Sequence, residues 1–422
     1  MAHQSPSVVF VTYAFPKFSE TFIVSKFLGL LDRGWDVHVL CDESDPEEWC
    51  RFPDLQHRPN IRRRVHITKR RHTRWPTGLA SPTVLAHSLR DPRPAWHYLK
   101  QGWRRFGARA VRQLSTDAEL ISLKPRLIHF EFGPLAVEKT YLKEFLGCGI
   151  VVSFRGFDLN YCHLEIPDFY REVWDNADAL HLLGEDLRRR AQRRGCPPDK
   201  THVLIPPAID TEFFDPGEQE LAGVVGTPER PLRVLSVGRL VWKKGHEYAL
   251  QSVKLLAEAG VCCELRIVGS GEHSEAVSFA IRQLNLENVV RLLGVQPRSE
   301  VRSQMRWADV LLHAAVSEGF CNAVLEAQAM TLPVVCTDAD GLPENVVDGR
   351  TGFVVPRRNP HALADKLDLL ARHADYRAHL GQAGRRRVLT HFQLPAQITA
   401  FENLYDQVLR QRGNDWRSTR PS

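Results

Sequence analysis

The stretch DVLLHAAVSEGFCNAVLEAQAMTLPVVCT (309–337) decides the fold. DVLLHAA (309–315) and PVVCT (333–337) are short apolar runs of the length of buried strands. AVLEAQAM (323–330) between them has helical composition and spacing. Strand, turn, helix and strand in so short a span make a parallel unit, whose sheet is covered on both faces by helices.

Working outward, the same alternation continues on both sides. Upstream lie strand RVLSVG (233–238), a helix ending near Gly260, strand ELRIVG (264–269), helix SEAVSFAIRQL (274–284), strand VVRLLG (289–294) and helix SEVRSQMRWA (299–308). Downstream come strand GFVVP (352–356) and helix HALADKLDLLARH (361–373). An earlier block repeats the theme. VVFVTY (8–13) reads as a buried strand, a helix follows with Ser19 as its N-cap and Gly34 as its stop, and strand VHVLC (37–41) completes a βαβ unit. Strands RLIHF (126–130), GIVVSF (149–154) and ALHLL (179–183) extend it. Asp210 to Pro231 is rich in Pro and Gly without apolar periodicity, and reads as the interdomain linker. The expected organisation is α/β, with two Rossmann-like parallel-sheet domains at 1–209 and 231–390. A linker occupies 210–230, a C-terminal helix 391–413 and a tail 414–422.

With 422 residues, two or three domains are expected. No run approaches the ~20 apolar residues that span a bilayer, and the N-terminus shows no signal-peptide pattern, so a cytoplasmic location is expected. The nine cysteines form no CxxC or Cys/His ladder, which argues against a structural zinc and for a reduced compartment. The net charge of +6 is uneven. Arg58, Arg62, Arg63, Arg64, Lys69, Arg70 and Arg71 are followed by Lys100, Arg104, Arg105 and Arg109, interleaved with Trp96, Tyr98, Trp103 and Phe106. Residues 51–112 therefore fit either a solvated insertion or an anionic membrane surface. No nucleic-acid-binding motif accompanies the charge, so no nucleic-acid partner is expected.

The chemistry concentrates in SEGFCNAVLEAQAM (317–330) and VGRLVWKKGHE (237–247). Glu318 follows a strand, at the carboxyl edge where open α/β sheets bind ligands. Asn322 is placed to cap the next helix, with Glu326 about one turn inside it. The amides of Gly319, Phe320 and Cys321 then cluster at a helix N-terminus, which suits an anion. Two carboxylates beside an anion site suit a sugar attached to a phosphate, although the pattern also fits two surface glutamates flanking a turn. Arg239 and Lys244 follow another buried strand and can neutralise a departing diphosphate without a metal. A merely solvated loop is the alternative, with Lys243 as bystander. Gly269 and Gly271 form a lone GxG, which marks a tight turn more often than a phosphate contact.

Taken in order, these pieces resemble glycosyltransferase family 4, the large retaining family of GT-B architecture. The carriers are Gly238, Arg239, Leu240, Lys244 and Gly245, then the pair Glu318 and Glu326, then Pro343, Glu344, Gly349, Thr351 and Gly352. The N-terminal half is similar to a subgroup from bacterial exopolysaccharide synthesis, through FPKFSETFI (15–23), IHFEFG (128–133) and FRGFD (154–158). Two departures stand out. Phe18, Ser19, Glu20 and Thr21 replace a common glycine pair, and Arg155 replaces a histidine that normally contacts the transferred sugar. Arg155 could hold a hydroxyl or a phosphate, or form a salt bridge with Asp158.

The resemblance implies two domains facing a central cleft that closes over both substrates. It implies a donor nucleotide sugar, linked to UDP or GDP, on the C-terminal domain, and a glycan or lipid-linked glycan acceptor on the N-terminal domain. Arg239 and Lys244 would stabilise the diphosphate, Glu318 the sugar and Glu326 the ribose. Gly238, Gly269, Gly271, Val295, Gly319, Phe320 and Asn322 would complete the donor site. Ser19, Glu20, Thr21, Arg155, Gly156 and Asp158 would lie on the acceptor or sugar side. No metal or cofactor is implied. A nucleotide-sugar epimerase or phosphorylase on the same architecture, or a non-catalytic partner subunit, are the rival readings.

Overall fold

The structure is a computed structural model, which describes residues 7–68, 93–217 and 223–413. The chain divides into two compact units. The first holds the chain up to Leu182, Arg188–Ile205 and the residues from Ile398 on. The second holds Leu183–Leu187 and Pro206–Gln397.

Among the described residues the first unit carries a seven-stranded sheet, ordered β3-β2-β1-β4-β5-β6-β7. The strands are β1 (Ser7–Ala14), β2 (Asp36–Glu43), β3 (Val65–Ile67), β4 (Leu127–Phe130), β5 (Gly149–Phe154), β6 (Ala179–Leu182) and β7 (His202–Leu204). All neighbours pair parallel. β4, β5 and β6 are buried along their whole length, as strands covered on both faces must be. Chain order reverses between β1 and β4, so their carboxyl ends form the switch point where such sheets receive ligands.

Ser19 does not cap the first helix. It lies exposed in a 3-10 turn, Phe18–Glu20, closed by the Glu20 amide on the Lys17 carbonyl at 2.9 Å. The helix Thr21–Asp32 starts only after that turn, with no side-chain cap. The C-terminal helix Leu394–Gln411 packs within the first unit from Ile398 on. There the Tyr405 hydroxyl meets His129 Nδ1 at 2.6 Å, and Glu402 accepts from the Trp35 indole at 2.8 Å.

The second unit carries six parallel strands, ordered β10-β9-β8-β11-β12-β13. They are β8 (Leu232–Val237), β9 (Cys263–Val268), β10 (Val290–Gly294), β11 (Val310–His313), β12 (Val334–Thr337) and β13 (Gly352–Val355). Order reverses here between β8 and β11. Residues 210–217, read as linker, belong to this unit instead, as do residues 206–209, expected in the first domain. Ile209 bridges to Gln393, and Phe214 is buried in the core beside Met305 and Leu332, because an apolar run can bury itself whatever its length. Residues 218–222 of that stretch lie outside the described residues, as do the tail 414–422 and the basic side chains Lys69, Arg70, Arg71 and Arg74.

Part of the basic region is neutralised within the first unit. Arg58 forks onto Asp32 at 2.6 and 2.8 Å, Arg64 pairs with Asp36 at 2.5 Å, and Arg62 covers the Trp49 ring. The helix Arg93–Phe106 buries Tyr98 but leaves Trp96 72% and Trp103 62% exposed. Seven residues apart, these two rings share one face of the helix.

Candidate active site

In the second unit, the loops after β8 and β11 meet at the switch point. The loop after β8 carries Gly238 and Arg239, turns through a 3-10 segment Trp242–Lys244 and enters the helix His246–Glu258 at Gly245. Gly245 takes φ +62°, and a β-carbon there would lie 2.1 Å from the Ala314 carbonyl oxygen. Only glycine lets the two loops approach this closely. The Val316 amide donates to the Lys243 carbonyl at 2.9 Å, tying the loops together. Close backbone approach also explains Gly269 and Gly271, where β-carbons would collide with the Gly238 and Leu240 carbonyls.

This arrangement brings Lys244 onto Glu318. The ammonium and carboxylate form an ion pair, with side chains only 13% and 12% exposed. His313, at the end of β11 and 3% exposed, places Nε2 3.4 Å from the same Glu318 oxygen. Burial opposes the Glu318 charge, but Lys244 and then His313 hold its carboxyl well below the usual carboxylate range. Burial likewise opposes charge on His313, yet Cys321 and Glu318 raise it to about 9. The Cys321 thiol, against its burial, is lowered by His313 and Lys244.

Glu318 is also fixed through its backbone. Its amide donates to Asp340 at 3.2 Å, the Gly341 amide donates to its carbonyl at 2.9 Å, and Arg357 holds the other Asp340 oxygen at 3.0 Å.

The helix Asn322–Ala329 begins after Cys321, so Asn322 is its first residue and not its cap. Asn345 takes that part from outside the helix. Its Oδ1 accepts from the Cys321 amide at 3.2 Å, and its Nδ2 donates to the Cys321 carbonyl at 3.0 Å. No protein acceptor among the described residues meets the Gly319 and Phe320 amides, which leaves them for an anion. Glu326 lies one turn further on and is half-buried, and burial pushes its carboxyl up to about 7 against the opposing pull of Arg298. Arg239 is exposed and forms no ion pair among the described residues. Val295 is exposed just beyond β10. Arg239, Lys243 and Lys244 share the loop after β8, and Lys244 sits on Glu318, so this loop gathers positive charge of the kind a diphosphate needs.

His313, Asp340, Asn345 and the Cys321 thiol escape the sequence reading, and the Cys321 amide, expected to serve an anion, donates to Asn345 instead. His313 ends a buried strand, Asp340 follows one and Cys321 precedes a helix, and that placement at the carboxyl edge is the signal that could have found them; Asn345 ends a short helix and has no such signal. The cysteine spacing marks no metal site, yet folding gathers three candidate ligands that are apart in sequence. Ligand atoms of His313, Glu318 and Cys321 lie within 4.8 Å of one another, because a strand end, a loop and a helix start fold onto one point. Glu344, noted only as part of a motif, accepts from the Glu185 and Asp186 amides at 2.8 Å each, within the second unit.

The acceptor-side residues gather in the first unit. Glu131, just past β4, is fully buried. It pairs with Lys26 through Oε1 and with Arg155 Nη2 through Oε2 at 3.2 Å. Burial lowers Lys26 to about 8 even with Glu131 opposing. Of the two readings of Arg155, the salt bridge with Asp158 does not form. The Asp158 carboxylate accepts from the backbone amides of Arg155 at 2.8 Å and Gly133 at 3.2 Å, which leaves the guanidinium to Glu131 and the face of Phe22. Gly156 opens the helix Gly156–Asn160. Glu20 pairs with Lys17 at 3.3 Å, and Thr21 is half-buried.

Two Rossmann-like parallel-sheet units, with a cation-rich, carboxylate-bearing loop pair at the second switch point, define a GT-B glycosyltransferase. Residues 218–387 match the model for glycosyl transferases group 1, and the chain belongs to that family. It is 30% identical over 383 residues to the "Putative colanic acid biosynthesis glycosyltransferase WcaL" of Escherichia coli (strain K12), covering 85% of this chain and 89% of that one. It is 28% identical over 407 residues to the "Amylovoran biosynthesis glycosyltransferase AmsK" of Erwinia amylovora, covering 91% and 95%. The fold resembles that of Anabaena Alr3699/HepE, solved in complex with UDP-glucose, with a TM-score of 0.69 at 15% identity over 95% of this chain and 100% of that one. The protein is a glycosyltransferase, similar to enzymes of exopolysaccharide and capsule biosynthesis.

Proposed function

We propose that this glycosyltransferase is a retaining, metal-independent hexosyltransferase. It moves a sugar from a UDP- or GDP-linked donor to a glycan or lipid-linked glycan of a bacterial surface polysaccharide. The observation that carries the reading is the placement of Lys244 on Glu318, with Arg239 on the same loop as Lys244, at the carboxyl edge of β8 and β11. As the bond from anomeric carbon to phosphate breaks, negative charge grows on the diphosphate. Arg239, Lys244 and the Gly319 and Phe320 amides are positioned to receive it. Glu318 is held by Lys244 and His313 and is therefore a poor covalent nucleophile. It contacts the sugar hydroxyls, while the leaving phosphate takes the proton of the attacking acceptor hydroxyl on the same face. Glu326 accepts from the ribose hydroxyls, and the backbone near Val295 meets the base. Gly238, Gly269 and Gly271 keep the loops thin enough for this approach.

In the first unit, the carboxyl edge of β1 and β4, with Ser19, Glu20, Thr21, Arg155, Gly156 and Asp158, receives the acceptor or the far side of the sugar. The exposed Trp96 and Trp103, together with Lys100 and Arg104, support peripheral seating on the anionic cytoplasmic leaflet, where a lipid-linked acceptor resides. No helix among the described residues is long and apolar enough to cross a membrane.

The test is a thermal-shift panel of nucleoside diphosphates followed by proton NMR of the product. A bound ligand at 100 times its Kd stabilises by about 2.7 kcal/mol, and the product should keep the donor's anomeric configuration. Stabilisation by neither UDP nor GDP, or an inverted product, would defeat the reading.

A further inference from the structure

The cluster beside Lys244 has a second capability. We infer that His313, Glu318 and Cys321 form a zinc-binding site, occupation of which takes Glu318 from Lys244 and inhibits transfer. The ligand atoms are an imidazole nitrogen, a carboxylate oxygen and a sulfur, the three donor types zinc prefers. They lie within 4.8 Å of one another. At metal–ligand distances of about 2.0–2.3 Å, a tetrahedral ion needs its ligands about 3.4–3.8 Å apart. A contraction of about 1 Å, within reach of a Glu318 side-chain rotation, therefore closes the site.

The scaffold is short and tightly held. His313 ends β11, Cys321 precedes the helix Asn322–Ala329 and is pinned through its backbone by Asn345, and Glu318 lies on the loop between them. His313 and Cys321 are 3% and 4% exposed, so a metal here is shielded from water on two sides and enters past Glu318. The present occupant of that carboxylate is the Lys244 ammonium, a single positive charge. A divalent ion that also gains sulfur and nitrogen ligands outcompetes it electrostatically. Binding expels to solvent the protons carried by the thiol and imidazole, since zinc takes thiolate and neutral imidazole. Zinc is thus an inhibitor here, and it would act on the same loop pair that serves the donor. The inhibition rests on the proposed roles of Lys244 and Glu318; the binding does not.

Cobalt(II) stands in for zinc, because its thiolate complexes absorb in the near ultraviolet. The whole protein is titrated with cobalt(II) and then with zinc(II). The expected result is one saturable equivalent with a thiolate charge-transfer band, displaced by zinc. The band should vanish in Cys321→Ser, and zinc affinity should fall by more than about 100-fold there and in His313→Gln, beyond the loss from an outer-shell partner. Cys50→Ser, at the exposed thiol, controls for adventitious binding. Absence of saturable binding, or a band retained in both cluster variants, overturns the site. In the activity arm, zinc should abolish wild-type transfer, with recovery on EDTA. Metal binding at the cluster with unaltered transfer overturns the inhibition. If no nucleotide sugar supports transfer at all, the proposed function fails, while the cobalt result still decides the site.

Discussion

Gly245→Ala separates loop geometry from backbone strain. Gly245 takes φ +62°, and an added β-carbon would stand 2.1 Å from the Ala314 oxygen and 3.1 Å from its carbonyl carbon. Real β-carbons keep at least 3.0 Å from such atoms, so the loop after β8 must retreat by about 1 Å. Lys244 is the preceding residue and moves with it, away from Glu318. A misplacement of that size costs about 10²-fold in turnover. The left-handed backbone adds about 1–2 kcal/mol of strain, a few degrees in Tm.

Gly260→Ala supplies the matched control. Its φ is +78°, in the turn after the helix His246–Glu258, and nothing lies within 4 Å of an added β-carbon. Both variants should lose the stability of the left-handed strain by thermal melt, and Gly245→Ala more, because of the collision with Ala314. Only Gly245→Ala should lose about 10²-fold in initial rate with donor and acceptor saturating. Equal turnover in Gly245→Ala and wild type, or an equal rate loss in Gly260→Ala, would refute the reasoning.

Further outcomes follow from the same site. Glu326→Ala should raise the donor KM more than it lowers kcat, and Glu318→Ala should do the reverse; matching profiles would undo the division of roles. Because burial raises Glu326 from an ordinary 4.5 to about 7, the folded state binds the extra proton between those values. Its stabilising contribution is full below pH 4.5 and is lost as pH rises through 7, so Glu326→Gln should raise Tm at pH 8 and not at pH 4.5. Activity should survive EDTA, and loss restored by magnesium or manganese would contradict diphosphate stabilisation by Arg239 and Lys244. Wild-type protein should co-sediment with anionic vesicles at low salt and release at high salt, whereas Trp96→Ser with Trp103→Ser should bind weakly; equal binding by both would remove the helix from any membrane role.

Much of the second unit is legible in the sequence because its strands are buried on both faces and its helices are amphipathic. Lys244 and Glu318 are legible because functional residues at a carboxyl edge must interrupt an apolar pattern. The three-residue edge strands VHI (65–67) and HVL (202–204) carry no apolar run and depend on their neighbours for pairing. The helix Ala374–His391 is hidden by its glycines and arginines. Gly381 is there for packing, since a β-carbon would meet the Thr331 carbonyl oxygen. His313 and Cys321 read as ordinary core residues, and only folding turns them toward Glu318. The partner of Arg155 is obscured for the opposite reason. Asp158 is close in sequence, but its carboxylate is consumed by backbone amides, and the guanidinium finds Glu131 on the neighbouring strand's end.

Everything proposed for the donor site turns on Lys244 and Arg239 stabilising a departing diphosphate. Steady-state turnover of purified Lys244→Ala and Arg239→Ala, with nucleotide-sugar donor and EDTA present, tests this most directly. Arg239→Ala should keep the wild-type melting profile, since the side chain is exposed. Lys244→Ala should melt somewhat lower, because Glu318 loses its ion pair and keeps the longer His313 contact. Each should lose about 10²-fold or more in kcat while remaining folded. Near-normal turnover in either well-folded variant would contradict the account.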